Sequence, residues 1–143
     1  MDKVLNIKCI KYGSNSFDIK KFEPVQNYNW IKPIGGLWAS PYNSNWGWKQ
    51  WCEDQEFEID RLSNSFKFTF KGKAFVINGI KDSAKLPWKL MESFSLRDKS
   101  ASFLFSHMID FELLSKKYDG IFLTAKGERE TRHTDKYSLY PNL

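Results

Sequence analysis

Alternation of hydrophobic and polar residues begins close to the N-terminus. In residues 3–12, Leu5, Ile7 and Cys9 fall on one face of an extended chain, and polar residues separate them. This period of two predicts a half-buried strand. Residues 13–33 show no period and contain Gly, Ser, Asn and two prolines, so we expect a long loop there.

The strictest alternation in the chain lies in residues 65–71. Phenylalanine occupies every second position, and lysine or threonine stands between the phenylalanines. Gly72 and Lys73 follow, and residues 74–80 are again largely hydrophobic. We therefore predict a hairpin over residues 65–80, with a tight turn at Gly72 and Lys73.

Residues 35–40 predict a short strand, and the hydrophobic residues that come after it have the spacing of a helix. Trp48 and Trp51 lie three residues apart, on one face of a helix that Asn43 or Ser44 would cap. A helix that packs on a sheet buries such a face. We therefore predict that both tryptophans are core residues.

Residues 110–140 predict one capped helix and two further strands. Asp110 is placed to cap a helix over residues 111–118. One face of this helix would carry Phe111, Leu114 and Tyr118. Residues 118–123 are typical of a strand. Residues 127–135 are polar and predict a loop, and residues 136–140 predict a last short strand.

Strands and helices are mixed along the chain without regular alternation. This order predicts an α+β fold whose mixed, mostly antiparallel split sheet has flanking helices. The length of 143 residues suits a single domain over residues 1–143 that can bury a core.

Composition and charge narrow the class of protein. The net charge is +5 and the basic residues are spread along the chain, which fits either simple solubility or an anionic partner such as nucleic acid. Cys9 and Cys52 form no disulfide framework and are expected to be buried free thiols. The charged N-terminus and the lack of a long apolar run predict a cytoplasmic protein without membrane contact.

Several kinds of chemistry have no signature in the sequence. His107 and His133 each stand apart from other ligands at metal-binding spacing. Neither GxGxxG nor GxxxxGK[ST] occurs, and no GxSxG motif supports a catalytic serine. Metal, phosphate-loop and serine-hydrolase chemistry are therefore not predicted.

The tryptophans and a pair of glutamates remain as candidates for a site. Four of the six tryptophans lie in residues 35–52, and they form either part of the core or a platform for a flat ring. Trp38 stands between a glycine pair and Ser40, so we place it at a crevice wall. Glu128 and Glu130 would point the same way on a loop or strand and could stabilise a cationic sugar; the alternative is a solvated loop.

Taken in order, these segments resemble the ADP-ribosyltransferase superfamily, whose members hold NAD in the crevice of a split sheet. Residues 8–14 match the first strand of the family, and residues 36–40 match the second. The third part is Glu128-Arg129-Glu130, which stands between Tyr-Asp-Gly-Ile at residues 118–121 and a short strand that ends in proline at residues 137–141. The small size and abundant tryptophan also look like phage or mobile-element proteins, which include anti-CRISPR ADP-ribosyltransferases.

This resemblance implies a site and an activity. Trp38 would stack on a ring of NAD, and Lys11, Tyr12 and Ser40 would contact its ribose or phosphates. Glu130, with Glu128 beside it, would stabilise the oxocarbenium-like ribose while ADP-ribose passes to a host protein, as in an anti-defence enzyme.

The departures from the family pattern leave alternatives open. Lys11 stands where the family has arginine or histidine, and Asp135 is an alternative to Glu130 as the key carboxylate. A member of the fold without NAD is one alternative. The second interpretation of the function is a non-enzymatic binding protein, such as an inhibitor that occludes a host protein or nucleic-acid site. A third interpretation is single-stranded nucleic-acid binding through tryptophan and lysine.

Overall fold

The computed structural model of the protein describes residues 2–28, 33–42, 44–45, 47–90 and 107–132. Its strands are β1 Asp2–Tyr12, β2 Ser40–Pro41, β3 Ser65–Ile77, β4 Trp88–Leu90, β5 His107–Ile109 and β6 Gly120–Leu123. Its α-helices are α1 Trp48–Gln55, α2 Ile80–Ser83, α3 Phe111–Lys117 and α4 Ala125–Arg132. Short 3-10 helices cover Ile19–Lys21 and Ile59–Ser63. The fold is therefore α+β, as predicted.

The strands form one mixed sheet and one small antiparallel sheet. The larger sheet has the order β2-β1-β3-β6, in which β1 and β2 are antiparallel and β3 and β6 are parallel. Strands β4 and β5 pair antiparallel with each other. A mixed sheet with helices was expected, and the structure confirms it.

The chain divides into two compact units, which we name by their contents. The core unit contains the described residues of Met1–Lys3, Pro24–Gly35 and Lys73–Leu143, and the aromatic unit contains those of Val4–Glu23 and Gly36–Gly72. Strand β3 contributes its first part to the aromatic unit and its last part to the core unit.

The core unit contains a cluster of buried hydrophobic side chains from β3, β5, α3 and the segment between α2 and β4. Its buried members are Phe75, Ile77, Leu86, Ile109, Phe111 and Leu114. Asp110 begins α3, as predicted: its Oδ1 accepts the N–H of Leu113 at 3.0 Å and the side-chain amide of Asn27 at 3.0 Å. The predicted face of α3 is therefore the face that packs in the core.

Hydrogen bonds and nearby positive charges together outweigh the effect of burial on the pKa of Asp110. Desolvation is the largest single influence on its pKa and raises it. The bonds from Asn27 and Leu113, together with the charges of Lys89 and Lys116, act in the opposite direction, and the net result is a lowered pKa. The carboxylate form is thus the one that the folded protein stabilises.

The predicted hairpin over residues 65–80 is wrong, because β3 continues through Gly72 and Lys73 as a single strand. The N–H of Lys73 donates to Asp119 Oδ2 and the N–H of Asp119 donates to the Lys73 carbonyl, both at 2.8 Å. These bonds hold Lys73 in an extended conformation beside the start of β6. Burial still alternates from Phe66 to Gly72, as the sequence pattern predicted.

The predicted polar loop over residues 127–135 is also wrong where the structure describes it, because α4 extends to Arg132. Thr124 stabilises the first turn: its Oγ1 accepts the N–H of Gly127 at 3.0 Å and its carbonyl accepts the N–H of Glu128 at 2.8 Å. Gly127 is buried so closely against β3 that an added Cβ would lie 2.1 Å from the Ile77 carbonyl oxygen. The predicted strand over residues 136–140 lies outside the described residues.

Both cysteines are buried free thiols in the aromatic unit, as predicted. Burial raises the pKa of Cys9, although the backbone of Phe70 opposes it. Burial also raises the pKa of Cys52, and the carboxylates of Glu58 and Glu53 raise it further. Both side chains therefore stay protonated at neutral pH.

Candidate functional site

Ser40 positions the helix that carries two of the tryptophans. It lies in β2 and is buried, and its Oγ accepts the N–H of Trp48 at 2.8 Å. Gly47 is the N-cap residue of α1, and a Cβ at this position would lie 2.7 Å from the Cβ of Ser40. The predicted cap at Ser44 is therefore wrong, and Asn43 lies outside the described residues.

The predicted burial of Trp48 and Trp51 is wrong, because their side chains are 44% and 43% exposed. Their rings stack on each other with centroids 5.1 Å apart and planes inclined by 15°. Phe57, also 44% exposed, meets both indoles edge-on at 6.2 and 5.6 Å. We call Trp48, Trp51 and Phe57 the aromatic cluster. Helix α1 buries the small Cys52 instead of its tryptophans.

The backbone on both sides of Phe57 is strained. Glu56 and Glu58 have φ angles of 51° and 46°, in the left-handed region that favours glycine. This conformation costs about 1–2 kcal/mol for a residue with a Cβ. Glu56 is the C-cap of α1, and the N–H of Phe57 donates to the Cys52 carbonyl at 2.9 Å. The reversal of the chain brings Phe57 back against the two tryptophans.

The segment that carries the aromatic cluster is acidic. Residues 48–63 contain two basic and five acidic residues, a net charge of −3, whereas the whole chain carries +5. The five acidic residues are Glu53, Asp54, Glu56, Glu58 and Asp60, and all are exposed. The cluster therefore belongs to a locally negative segment of a basic chain.

The predicted cofactor residues Lys11, Tyr12, Trp38 and Ser40 all belong to the aromatic unit. Burial lowers the pKa of Lys11, and the charge of Arg61 lowers it further. Trp38 is 47% exposed and lies outside the strands, since β2 covers only Ser40–Pro41. The predicted strand over residues 35–40 is therefore mostly wrong. The reason is that the glycines at positions 35 and 36 have φ angles of 78° and 76°, which turn the chain.

A polar cavity of about 290 Å³ in the aromatic unit brings two of these residues together. It is lined by Ile10, Tyr12, Ser40, Pro41, Tyr42, Ser44, Lys49 and Gln50. Lys67 donates a hydrogen bond of 2.9 Å to the Tyr42 hydroxyl, and this bond lowers the pKa of Tyr42. Tyr12 and Ser40 thus share a site, while Lys11 and Trp38 do not line it.

The predicted catalytic pair Glu128 and Glu130 belongs to the core unit and lies on α4. Two residues apart on a helix differ by about 200° in direction, so the expectation that both carboxylates point the same way is wrong. Glu130 Oε2 accepts the N–H of Ile80 at 2.8 Å, at the start of α2. Its carboxylate therefore has a structural contact that the sequence did not predict. Asp135 lies outside the described residues.

The structure adds two negative findings for the residues that it describes. No group of three His, Cys, Asp or Glu side chains there could hold a metal ion. None of the helices in the same residues is long and apolar enough to span a membrane. His107 lies in β5, and His133 is outside the described residues.

Comparisons with protein-family models, with curated proteins and with solved structures give no match for this chain.

Proposed function

We propose that the protein is a binding protein that covers a site on a partner protein and performs no chemistry there. The aromatic cluster is its main contact surface. The observation that carries the proposal is the stacked, exposed pair Trp48 and Trp51, with Phe57 against both. Tryptophan is enriched among the residues that dominate interface energies, and it loses little conformational entropy when a partner covers it.

The cluster is large enough to form the centre of an interface but not the whole of it. Side chains of this kind bury up to about 150–250 Å² each, so three that are nearly half exposed present roughly 300 Å². A stable interface buries about 800 Å² on each partner. The acidic residues around the cluster would supply part of the polar rim.

The charge around the cluster disfavours single-stranded nucleic acid as the partner. A stacking platform for bases needs cations nearby to hold the phosphates. The segment over residues 48–63 has a net charge of −3 instead. A protein partner fits this surface better, and the resemblance to small phage proteins makes a host protein the class that we propose.

NAD-dependent ADP-ribosyl transfer is a second candidate, supported by the cavity that Tyr12 and Ser40 line. Its volume of about 290 Å³ is at the lower end of small-molecule sites and suits part of a dinucleotide. Glu130 would have to act while its carboxylate also holds the Ile80 N–H. This engagement is why we rank transfer second.

A capture experiment with matched tryptophan variants tests the first candidate. The tagged protein is used to isolate partners from host lysate, and each partner is purified and titrated by calorimetry. We expect Trp48→Ala with Trp51→Ala to raise the Kd at least 100-fold, because buried tryptophans commonly contribute 2 kcal/mol or more. Trp38→Ala is the matched control, since it removes an equally exposed tryptophan of the same unit.

Different results would identify each candidate. Retained partner binding by the double tryptophan variant would refute the aromatic cluster as the main contact surface. Labelled NAD added to the same lysate tests the second candidate. Transfer of label that Glu128→Gln with Glu130→Gln abolishes, while Trp48→Ala with Trp51→Ala leaves it intact, would establish the enzyme instead.

A further inference from the structure

We propose that the partner surface that covers the aromatic cluster is cationic and presents arginine side chains. This inference rests on the proposed binding function and specifies the chemistry of its partner. It is carried by the exposed aromatic rings, by the charge that surrounds them and by the backbone conformation of the glutamates on either side of Phe57.

The acidic residues around the cluster are only partly neutralised within the protein. Glu53 Oε1 lies 3.9 Å from Lys49 Nζ, and Glu58 Oε2 lies 3.3 Å from Arg61 Nη1. Among the ion pairs of the described residues none involves Asp54, Glu56 or Asp60, and these three side chains are exposed. A cationic partner would supply the missing charges, whereas an anionic partner would meet net repulsion.

The backbone conformation gives a second reason to connect the charge with the binding surface. Glycine would relieve the left-handed strain at positions 56 and 58, yet glutamate occupies both. Two residues other than glycine thus adopt the left-handed conformation around one exposed aromatic ring. Such departures from backbone preference are typical of functional sites. Each of these two glutamates places a carboxylate next to Phe57 in the sequence.

Arginine is the cation that suits this combination of groups. Its planar guanidinium stacks on an indole face and also donates paired hydrogen bonds to a carboxylate. Lysine provides a single, strongly hydrated charge that matches the flat faces less well. We therefore expect the surface to prefer arginine over lysine at equal charge.

The overall charge of the protein makes this preference easy to recognise. A chain with a net charge of +5 attracts polyanions and repels polycations when only its total charge matters. A cationic peptide that binds at the aromatic cluster would do so despite the repulsion from the net positive charge of the protein. Its binding would therefore be due to the local surface and not to a non-specific electrostatic attraction.

The test uses NMR of the tryptophan indole N–H signals of the full-length protein. The probes are a nine-residue peptide that alternates arginine and glycine, its lysine counterpart, and a nine-residue oligothymidylate. We expect the arginine peptide to shift the signals of Trp48 and Trp51, with a Kd at least threefold lower than that of the lysine peptide. Oligothymidylate should leave these two signals unchanged, and raising NaCl from 50 to 300 mM should weaken peptide binding.

A matched pair of charge reversals isolates the acidic residues. Glu56→Lys should raise the Kd of the arginine peptide about tenfold. Glu23→Lys makes the same charge change at an exposed glutamate of the same unit and should change the Kd less than twofold. Both residues are exposed, so the indole spectrum of each free variant should show an intact fold.

Three results would overturn the inference. They are the absence of a shift with the arginine peptide, equal Kd values of the arginine peptide for Glu56→Lys and Glu23→Lys, and a shift of the Trp48 and Trp51 signals by oligothymidylate. Any of these, combined with loss of the captured partner on Trp48→Ala with Trp51→Ala, would leave the binding function standing with a different partner chemistry. Retention of that partner would instead show that the aromatic cluster is not the contact surface.

Discussion

Glu130 is the residue at which a structural role and a catalytic role make different predictions. Its Oε2 accepts the N–H of Ile80 at 2.8 Å, and a Cβ at Gly79 would lie 2.3 Å from the same oxygen. The carboxylate thus occupies the space in front of the first turn of α2. Truncation by Glu130→Ala removes the acceptor and leaves that half-buried N–H without this partner.

The expected cost of Glu130→Ala is about 2 kcal/mol, because hydrogen bonds to charged groups contribute about 1.5–3 kcal/mol. For a chain of this length, such a loss lowers the Tm by roughly 6 °C. Glu130→Gln keeps an acceptor oxygen, so we expect it to cost less than about 1 kcal/mol. Calorimetric melting of the three proteins measures both values.

Arg129→Ala is the control for this prediction, since it shortens an exposed side chain on the same helix. It should change the stability by less than about 0.5 kcal/mol. A Glu130→Ala protein that melts at the wild-type temperature would refute the structural role. A Glu130→Gln protein that melts normally but loses NAD-dependent transfer would show that the carboxylate acts in catalysis.

Two further predictions concern the core unit. Gly127→Ala should destabilise the protein by about 2 kcal/mol in urea denaturation, since the clash with the Ile77 carbonyl outweighs a gain in helix propensity of about 1 kcal/mol; unchanged stability would show that α4 does not pack this closely. Asp110→Ala should cost about 1–2 kcal/mol at pH 7. The folded pKa of Asp110 is lowered, so its stabilisation is present above the ordinary aspartate pKa of about 3.9 and is lost as the pH falls through the folded value. The difference between the two proteins should therefore shrink at pH 2.5, and a difference that persists there would contradict this assignment.

The sequence predicted elements best where local periodicity and burial agree. Strand β1 and the face of α3 followed from the positions of their hydrophobic residues, and Asp110 caps α3 as its position suggested. The hairpin at Gly72 failed because turn residues permit a turn without requiring one. Lys73 instead makes two hydrogen bonds with Asp119, which is distant in sequence, and these bonds stabilise a continuous strand.

The candidate site was harder to predict because exposure is not a local property. Spacing correctly placed Trp48 and Trp51 on one face of α1, but it could not tell which face the helix buries. That choice depends on the close approach of Gly47 to Ser40 and on the small thiol of Cys52. The excess of acidic residues after Trp51 was visible in the sequence and would have indicated an exposed segment.

The glutamates of α4 illustrate a second limit. Residues 127–132 are strongly polar and contain a glycine, which favours a loop in a reading of composition alone. Their helix forms because Thr124 caps it and because Gly127 allows it to lie against β3. The prediction that both carboxylates point the same way assumed a loop or strand, and it failed because the segment is a helix. Their catalytic role stays a prediction.

The two buried thiols have a practical consequence for finding the partner. Maleimide reagents attack the thiolate, which Cys9 and Cys52 scarcely form at neutral pH because burial raises their pKa values. A single cysteine introduced at an exposed position, such as Lys49→Cys beside the aromatic cluster, would then be the one reactive site in the protein. A photo-crosslinker attached there would mark whatever protein covers the tryptophans, without any replacement of the native cysteines.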